Sequence, residues 1–274
     1  MTRPFRLLPL ESRTPAQNLA VDDALLVRGG DVPVLRLYTW EPAALSLGYF
    51  QKLEDVPAAH MPGLEVVRRF TGGGAIHHAH ELTFSIAAPA SDPLYRGPVA
   101  DSYCRVHALL EGALAEFGVA SALRCDQALA SDRTGTGMCF HGSTAQDLVW
   151  TGTDGERRKG VGSAQRRSGG RVLHHGSIKL APDPLEPGAA TVGGGSAVED
   201  GGAGTARPIA AAEFASRLVA AFERGLDTRL EPSELTERER EHVLDLGDFF
   251  ADPRFLADRR YRPEASDGGT SPAS

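Results

Sequence analysis

Apolar and polar positions repeat with two different periods along this chain, one helical and one extended. "TPAQNLAVDDALLVRGG" (14–30) carries apolar residues at helical spacing. Thr14 suits its cap, Pro15 its first turn and Gly29 its end. "VLRLYTW" (34–40) and "ALSLGYF" (44–50) read as short strands with a Glu-Pro turn between them. "EVVRRF" (65–70) and "LTFSIAAPA" (82–90) are two more, on either side of a glycine run. "DSYCRVHALLEGALAEFGV" (101–119) returns to the helical period and stops at Gly118. "DLVWTGTDGERRKGVGSAQRR" (147–167) reads as a hairpin turning at Asp154-Gly155, and "GRVLHHGSIKLA" (170–181) as a further strand. "AAEFASRLVAAFERGL" (211–226) and the charge-rich segment 233–246 read as helices.

Many strands, few helices and no regular βαβ alternation predict an α+β fold with a mostly antiparallel or mixed sheet flanked by helices. Residues 1–185 are expected to form the core. Residues 186–208, rich in Gly, Ala and Pro, are expected to be a flexible connector. Residues 209–263 should pack on the core as C-terminal helices, and 264–274 should be a disordered tail.

Composition narrows the function classes. The chain has 274 residues, 41% of them hydrophobic, but no apolar run of the ~18 needed for a membrane span. The N-terminal stretch lacks an apolar core ahead of a small-residue cleavage site, so no signal peptide is expected. Three cysteines are too few, and odd in number, for a disulfide framework, which fits a reducing cytoplasm. A net charge of −7 argues against general nucleic-acid binding, though not against a local basic patch.

Chemistry concentrates in three places. In "RRFTGGGAIHHAHE" (68–81) the glycines lack the helix of a dinucleotide site and the Lys-Ser/Thr ending of a P-loop. What remains is either a plain hairpin turn or a loop whose amides cradle an anion or a carbonyl oxygen. Strand alternation lets only one of Arg68 and Arg69 face such a site, as an oxyanion or phosphate clamp. The histidines (His77, His78, His80, His174, His175) lack the helical spacing and carboxylate or thiolate help of a zinc site, so no metal is expected. One of them is expected to line the pocket. Cys104 and Cys125 read as small buried residues, but Cys139 lies in a polar, glycine-containing loop, "TGMCFHGSTAQDL". A nucleophilic cysteine needs a neighbouring cation. The arginine-rich hairpin that follows, from Arg157 to Arg171, supplies several, of which Lys159, ahead of "GVGSAQ", is placed inside.

"RRFTGGGAIHHAHELTFS" and "RKGVGSAQRRSGGRVLHHGSI", with the opening "PAQNLAVDDALL", resemble the signatures of the lipoate-protein ligase and octanoyltransferase superfamily, whose fold is related to that of biotin protein ligases. The resemblance spans about residues 5–182. It implies a substrate site built from Arg69, Thr71, Gly72, Gly73, Gly74, Ala75, His78, Gly162, Ser163, Ala164 and His175. "MCF", "LSLGYFQ" and "GSAQ" are similar to the cysteine-dependent octanoyltransferase branch. That branch implies catalysis by Cys139 and Lys159, with an octanoyl (or lipoyl) group passing from acyl carrier protein to a lysine of lipoyl domains and no cofactor. The implied acceptors are the glycine-cleavage H protein and the E2 subunits of 2-oxoacid dehydrogenases. The alternative in the same superfamily is an ATP-dependent lipoate-protein ligase using ATP and Mg2+, with no need of the cysteine. The chain departs from the transferase pattern at Gly74, where an Arg is common, at Ala79, and after Cys139-Phe140.

Overall fold

The computed structural model describes residues 4–124, 128–142, 144–152, 155–194 and 209–261. Its strands are β1 (Phe5–Arg13), β2 (Val34–Trp40), β3 (Ala44–Leu47), β4 (Glu65–Arg68), β5 (Ile76–His78), β6 (Glu81–Pro89), β7 (Ala122–Leu123), β8 (Leu148–Thr151), β9 (Arg157–Ser168), β10 (Arg171–Lys179) and β11 (Leu230–Pro232). The helices are α1 (Pro15–Arg28), α2 (Val99–Ala115), α3 (Ala211–Leu226), α4 (Glu237–Leu246) and α5 (Pro253–Ala257). The large sheet runs β11-β1-β2-β6-β10-β9-β8-β7 and the small one β4-β3-β5. Both are mixed, since β1 lies parallel to β2 and β11, and β3 parallel to β4, while the other pairs are antiparallel.

Strand alternation divides the large sheet into two buried faces. Leu35 and Leu37 of β2 and Leu82, Phe84 and Ile86 of β6 join α2 and α3 in one core. Val34, Tyr38 and Trp40, with Ala87, join α1 and the C-terminal residues Phe250 and Phe255 in another. Burying each such large side chain contributes about 1.5–3 kcal/mol, so helices are needed on both sides. A third cluster, Leu45, Leu47, Val56, Ala75 and Met138, lies under the small sheet.

The α1 face of the large sheet also carries polar residues. Asp22 on α1 accepts from Arg36 Nη1 (2.9 Å), Tyr38 Oη (2.9 Å) and Ser85 Oγ (2.8 Å). Burial opposes its charge, but the bond to His175 and the nearby Arg36 more than offset this and hold its carboxyl below the ordinary value. Thr14 and Pro15 cap α1 as its sequence predicts, and Arg171 closes the other end by donating to the Leu25 and Leu26 carbonyls.

Several expectations are corrected. The glycine run is not a plain hairpin turn: β4 and β5 flank it, and each pairs with β3 rather than with the other. Cys104 is exposed, because its position on α2 points away from the sheet. The first part of the supposed connector packs instead of flexing. Glu186 reaches the buried Lys179 (2.7 Å), and Val192 N–H donates to Lys179 O (2.9 Å). Residues 195–208, the tail 264–274, Cys125 and the Asp154 half of the hairpin turn lie outside the described residues.

Candidate active site

A reciprocal backbone exchange joins the Cys139 loop to the glycine loop. Cys139 N–H donates to Ala75 O (2.7 Å), and Ala75 N–H donates to Gly137 O (2.9 Å). A Cβ on Gly74 would stand 2.8 Å from the Cys139 nitrogen, so glycine is what lets the two backbones meet. Phe140, fully buried, anchors the 3-10 turn Cys139–His141 and leaves Cys139 half-buried above it.

β9 brings Lys159 against this turn. Its ammonium donates to Cys139 O (3.0 Å) and Gly142 O (3.1 Å), pairs with Asp147 Oδ2 (2.9 Å), and lies 3.4 Å from Cys139 Sγ. Burial works against its charge, but Cys139 and then Asp147 overcome that and raise it above the ordinary lysine value. Asp147 is buried too and was not singled out in the sequence. Its only local signal is an acid eight residues beyond the cysteine. Two strand positions past Lys159 comes Val161, then Gly162, where a Cβ would stand 3.1 Å from Sγ. The sulfur is thus enclosed by lysine on one side and bare backbone on the other.

A narrow, mostly apolar pocket opens beside the sulfur. Of the residues expected in the site, Arg69, Gly73, His78, Cys139, Gly162, Ser163, Ala164 and His175 line it. Thr71, Gly72, Gly74, Ala75 and Lys159 are not part of that lining. Leu19, Tyr38, Trp40, Ser46, Ile76, Thr83, Gly176 and Ser177 complete the wall. These come from α1, β2, β3, β5, β6 and β10; all but Tyr38 and Trp40 lie within the signature strings, but nothing local marks them as wall residues.

The polar side chains mostly brace one another. Arg69, expected as a clamp for substrate, donates instead to Ser46 O (2.9 Å), Gly72 O (2.8 Å) and Gly74 O (2.6 Å). It shapes the loop from inside, and burial lowers it to about 10. Arg68 is likewise internal, donating to Gly48 O (3.1 Å), Gln51 O (2.7 Å) and Phe255 O (3.1 Å). Thr71 Oγ1 lies 2.7 Å from His175 Nε2, whose Nδ1 donates to Asp22 Oδ2 (3.1 Å). One relay therefore ties the first signature, the second signature and α1 together. His78 Nδ1 donates to Glu81 Oε1 (2.6 Å), and its Nε2 lies 2.7 Å from Ser46 Oγ. The ring stacks on Trp40 with centroids 3.7 Å apart. Burial lowers its basicity, so the imidazole is neutral near pH 7, with both nitrogens engaged.

His77 Nδ1 donates to Asp183 (2.9 Å). Among the described residues no group of three or more His, Cys, Asp or Glu is arranged to hold a metal ion. No helix among them is long and apolar enough to cross a membrane.

Residues 14–194 match the lipoyl protein ligase A/B catalytic domain, and the chain belongs to that family. Among its relatives is an octanoyltransferase LipM of Moorella thermoacetica, 39% identical over 182 residues, covering 64% of this chain and 65% of the relative. Another is the octanoyltransferase LipM of Kyrpidia tusciae, 36% identical over 260 residues, covering 86% of this chain and 92% of the relative. The fold is similar to that of a bi-partite lipoate protein ligase from Thermoplasma acidophilum, with a TM-score of 0.68, 22% identity, and coverage of 96% of this chain and 99% of that one.

Proposed function

We propose that the protein is an acyltransferase of protein lipoylation. It moves an octanoyl (or lipoyl) group from acyl carrier protein through a Cys139 thioester to a lysine of a lipoyl domain. The observation that carries this is the buried Lys159 ammonium 3.4 Å from Cys139 Sγ, at the side of a narrow apolar pocket. An ATP-dependent ligase has no need of the cysteine. The names of the relatives support the transferase branch.

Lys159 stabilises the Cys139 thiolate, which attacks the donor's thioester carbonyl. The Gly73 amide, in the loop that lines the pocket, is the donor offered to the oxyanion. The Ala75 amide, in the same loop, is already committed to Gly137 O. As the tetrahedral intermediate collapses, the carrier's sulfur leaves and takes a proton from Lys159. The sulfur of the acyl-enzyme carries no charge, so the strongest influence holding Lys159 protonated is gone while its burial remains. Neutral Lys159 then takes the proton of the incoming lysine amine, the amide forms, and Cys139 leaves as the thiolate. His78 does not take that proton, because both its nitrogens are already bonded. Conversion of thioester to amide is downhill, so the cycle uses no ATP and no cofactor. A free thiol nucleophile suits the reducing cytoplasm, with the glycine-cleavage H protein and 2-oxoacid dehydrogenase E2 subunits as acceptors.

Incubation with octanoyl-acyl carrier protein without ATP, read by intact-protein mass spectrometry, tests this. One hydroxylamine-labile octanoyl group on the wild type and none on Cys139→Ser is expected. No adduct, with carrier lipoylation only when lipoate and ATP are supplied, would make the protein a ligase.

A further inference from the structure

Tyr49 and Phe50 stand on the turn after β3. Phe50 is 67% exposed, and its ring meets Tyr49 edge-on with centroids 5.1 Å apart. Two exposed arginines from distant segments flank the pair. Arg166 reaches over Tyr49 from β9 (5.6 Å), and Arg259, beyond α5, lies over Phe50 (5.5 Å) and Tyr49 (5.9 Å). Strand alternation explains why Arg166 differs from its neighbour: Arg167 points to the other side of β9 and donates to Tyr95 O (3.2 Å).

The turn is firmly held. Arg68 donates to the Gly48 and Gln51 carbonyls, and the Gln51 amide donates to Gly137 O (2.8 Å), two residues before Cys139. A Cβ on Gly72 would lie 3.8 Å from the Phe50 ring. The aromatic pair therefore sits on the outer side of the glycine loop whose Gly73 lines the pocket. Asp258 pairs with Arg260 (3.1 Å) and is also drawn to Arg259, and Asp252 pairs with Arg254 (2.7 Å), so with Arg166 four arginines stand against these two acids about the ridge, on a chain of net charge −7.

We propose that the Tyr49–Phe50 ridge with Arg166 and Arg259 is the docking surface for the acyl donor, an acidic carrier protein that presents its thioester on a phosphodiester-linked arm. An exposed aromatic ringed by arginine supplies an apolar anchor and charge complementary to acidic helices and to the phosphodiester. The donor is favoured over the acceptor by reach. A long arm can enter the pocket while its carrier rests on an outer ridge, whereas the short side chain of an acceptor lysine must bring its domain onto the pocket mouth. The proposal rests on the acyl-transfer reading and draws a single member, Arg166, from the arginine-rich hairpin. Arg167 and Arg171 are committed to backbone carbonyls.

The test compares two octanoyl donors, acyl carrier protein and the small thioester octanoyl-N-acetylcysteamine. Acylation of Cys139 is timed by mass spectrometry in the wild type, Phe50→Ser and the pair Arg166→Glu/Arg259→Glu. With the carrier, both variants are expected to slow by about tenfold or more, with a weaker salt dependence in the charge-reversed one. With the small thioester they should match the wild type. Equal slowing with both donors would place the effect in the pocket and overturn the proposal. So would unchanged acylation from the carrier with slower delivery to a lipoyl domain, which would assign the ridge to the acceptor. If neither donor acylates the wild type, the transfer reading itself falls and takes the ridge with it.

Discussion

Lys159 Nζ lies 2.9 Å from Asp147 Oδ2 and 3.4 Å from Cys139 Sγ, so one buried ammonium serves a carboxylate and a sulfur together. Lys159→Met removes the cation from both. The sulfur loses the charge that favours its thiolate, and alkylation by iodoacetamide at pH 7 should slow by about tenfold or more. Asp147 is left buried and unpaired, which costs about 3–5 kcal/mol. Lys159→Met/Asp147→Asn should recover much of that stability without recovering alkylation. Parallel alkylation kinetics and thermal melts of the two variants check this, and equal recovery of both properties would contradict it.

Gly162 tests how tightly the sulfur is enclosed. A methyl group there would stand 3.1 Å from Cys139 Sγ and 3.2 Å from Lys159 Cε, closer than carbon normally packs. Gly162→Ala should cost about 1–3 kcal/mol in stability. Because it displaces the reacting atom, its effect on octanoylation should be larger, on the order of a hundredfold. Stopped-time mass spectrometry against thermal melting separates the two effects. A rate loss no larger than the stability loss would mean that the sulfur has room to move.

How much of this was legible follows the sequence separation of the partners. Cys139, Lys159 and the two glycine signatures are compact strings, and the helix from Pro15 to Arg28 and the strand from Val34 to Trp40 declare themselves by period. What escaped depends on residues far apart in the chain. Asp22 meets His175 across 153 positions, and Arg68 meets Phe255 across 187, with no local pattern to announce either. Arg69 misled for a physical reason. An arginine beside glycines resembles an anion clamp, but a glycine loop also exposes carbonyls, and here they take the guanidinium first. Glu186 escaped because composition alone made its surroundings look like linker, while a single buried lysine holds it in place.

Glu81 and Glu186 share Lys179 yet titrate in opposite directions. Burial opposes ionisation at both. At Glu81, His78 and Lys179 overcome it and hold the carboxyl at about 2, whereas at Glu186 burial wins and pushes it up to about 7. The folded value of Glu81 lies below its ordinary 4.5, so its stabilisation is complete above that pH and is lost as pH falls toward about 2. The folded value of Glu186 lies above 4.5, so its contribution is full below that pH and is lost as pH rises through about 7. Glu81→Gln should therefore lower stability at neutral pH and flatten the acid limb, while Glu186→Gln should flatten the decline toward pH 7. Scanning calorimetry from pH 3 to 8 reads both (a range set by these two values). Curves parallel to the wild type would show that neither carboxyl couples to folding.

Arg68 joins the C-terminal helix α5 to the turn that carries the aromatic ridge. Its planar fork donates to Gly48 O and Gln51 O on one side and to Phe255 O and Leu256 O on the other. A lysine keeps the charge but cannot span both sets, because an ammonium is a single point of three donors. Arg68→Lys should cost about 2–4 kcal/mol, since hydrogen bonds to charged groups are worth about 1.5–3 kcal/mol each and some are kept. Hydrogen exchange should rise in residues 249–257 and in 48–51 together, because one side chain serves both. Exchange that rises in only one segment would mean that Phe250 and Phe255, packed against α1 and Phe70, hold the C-terminus without it. Coupled exchange would instead make the C-terminal helices part of the site's support, a role their sequence, without any catalytic side chain, does not announce.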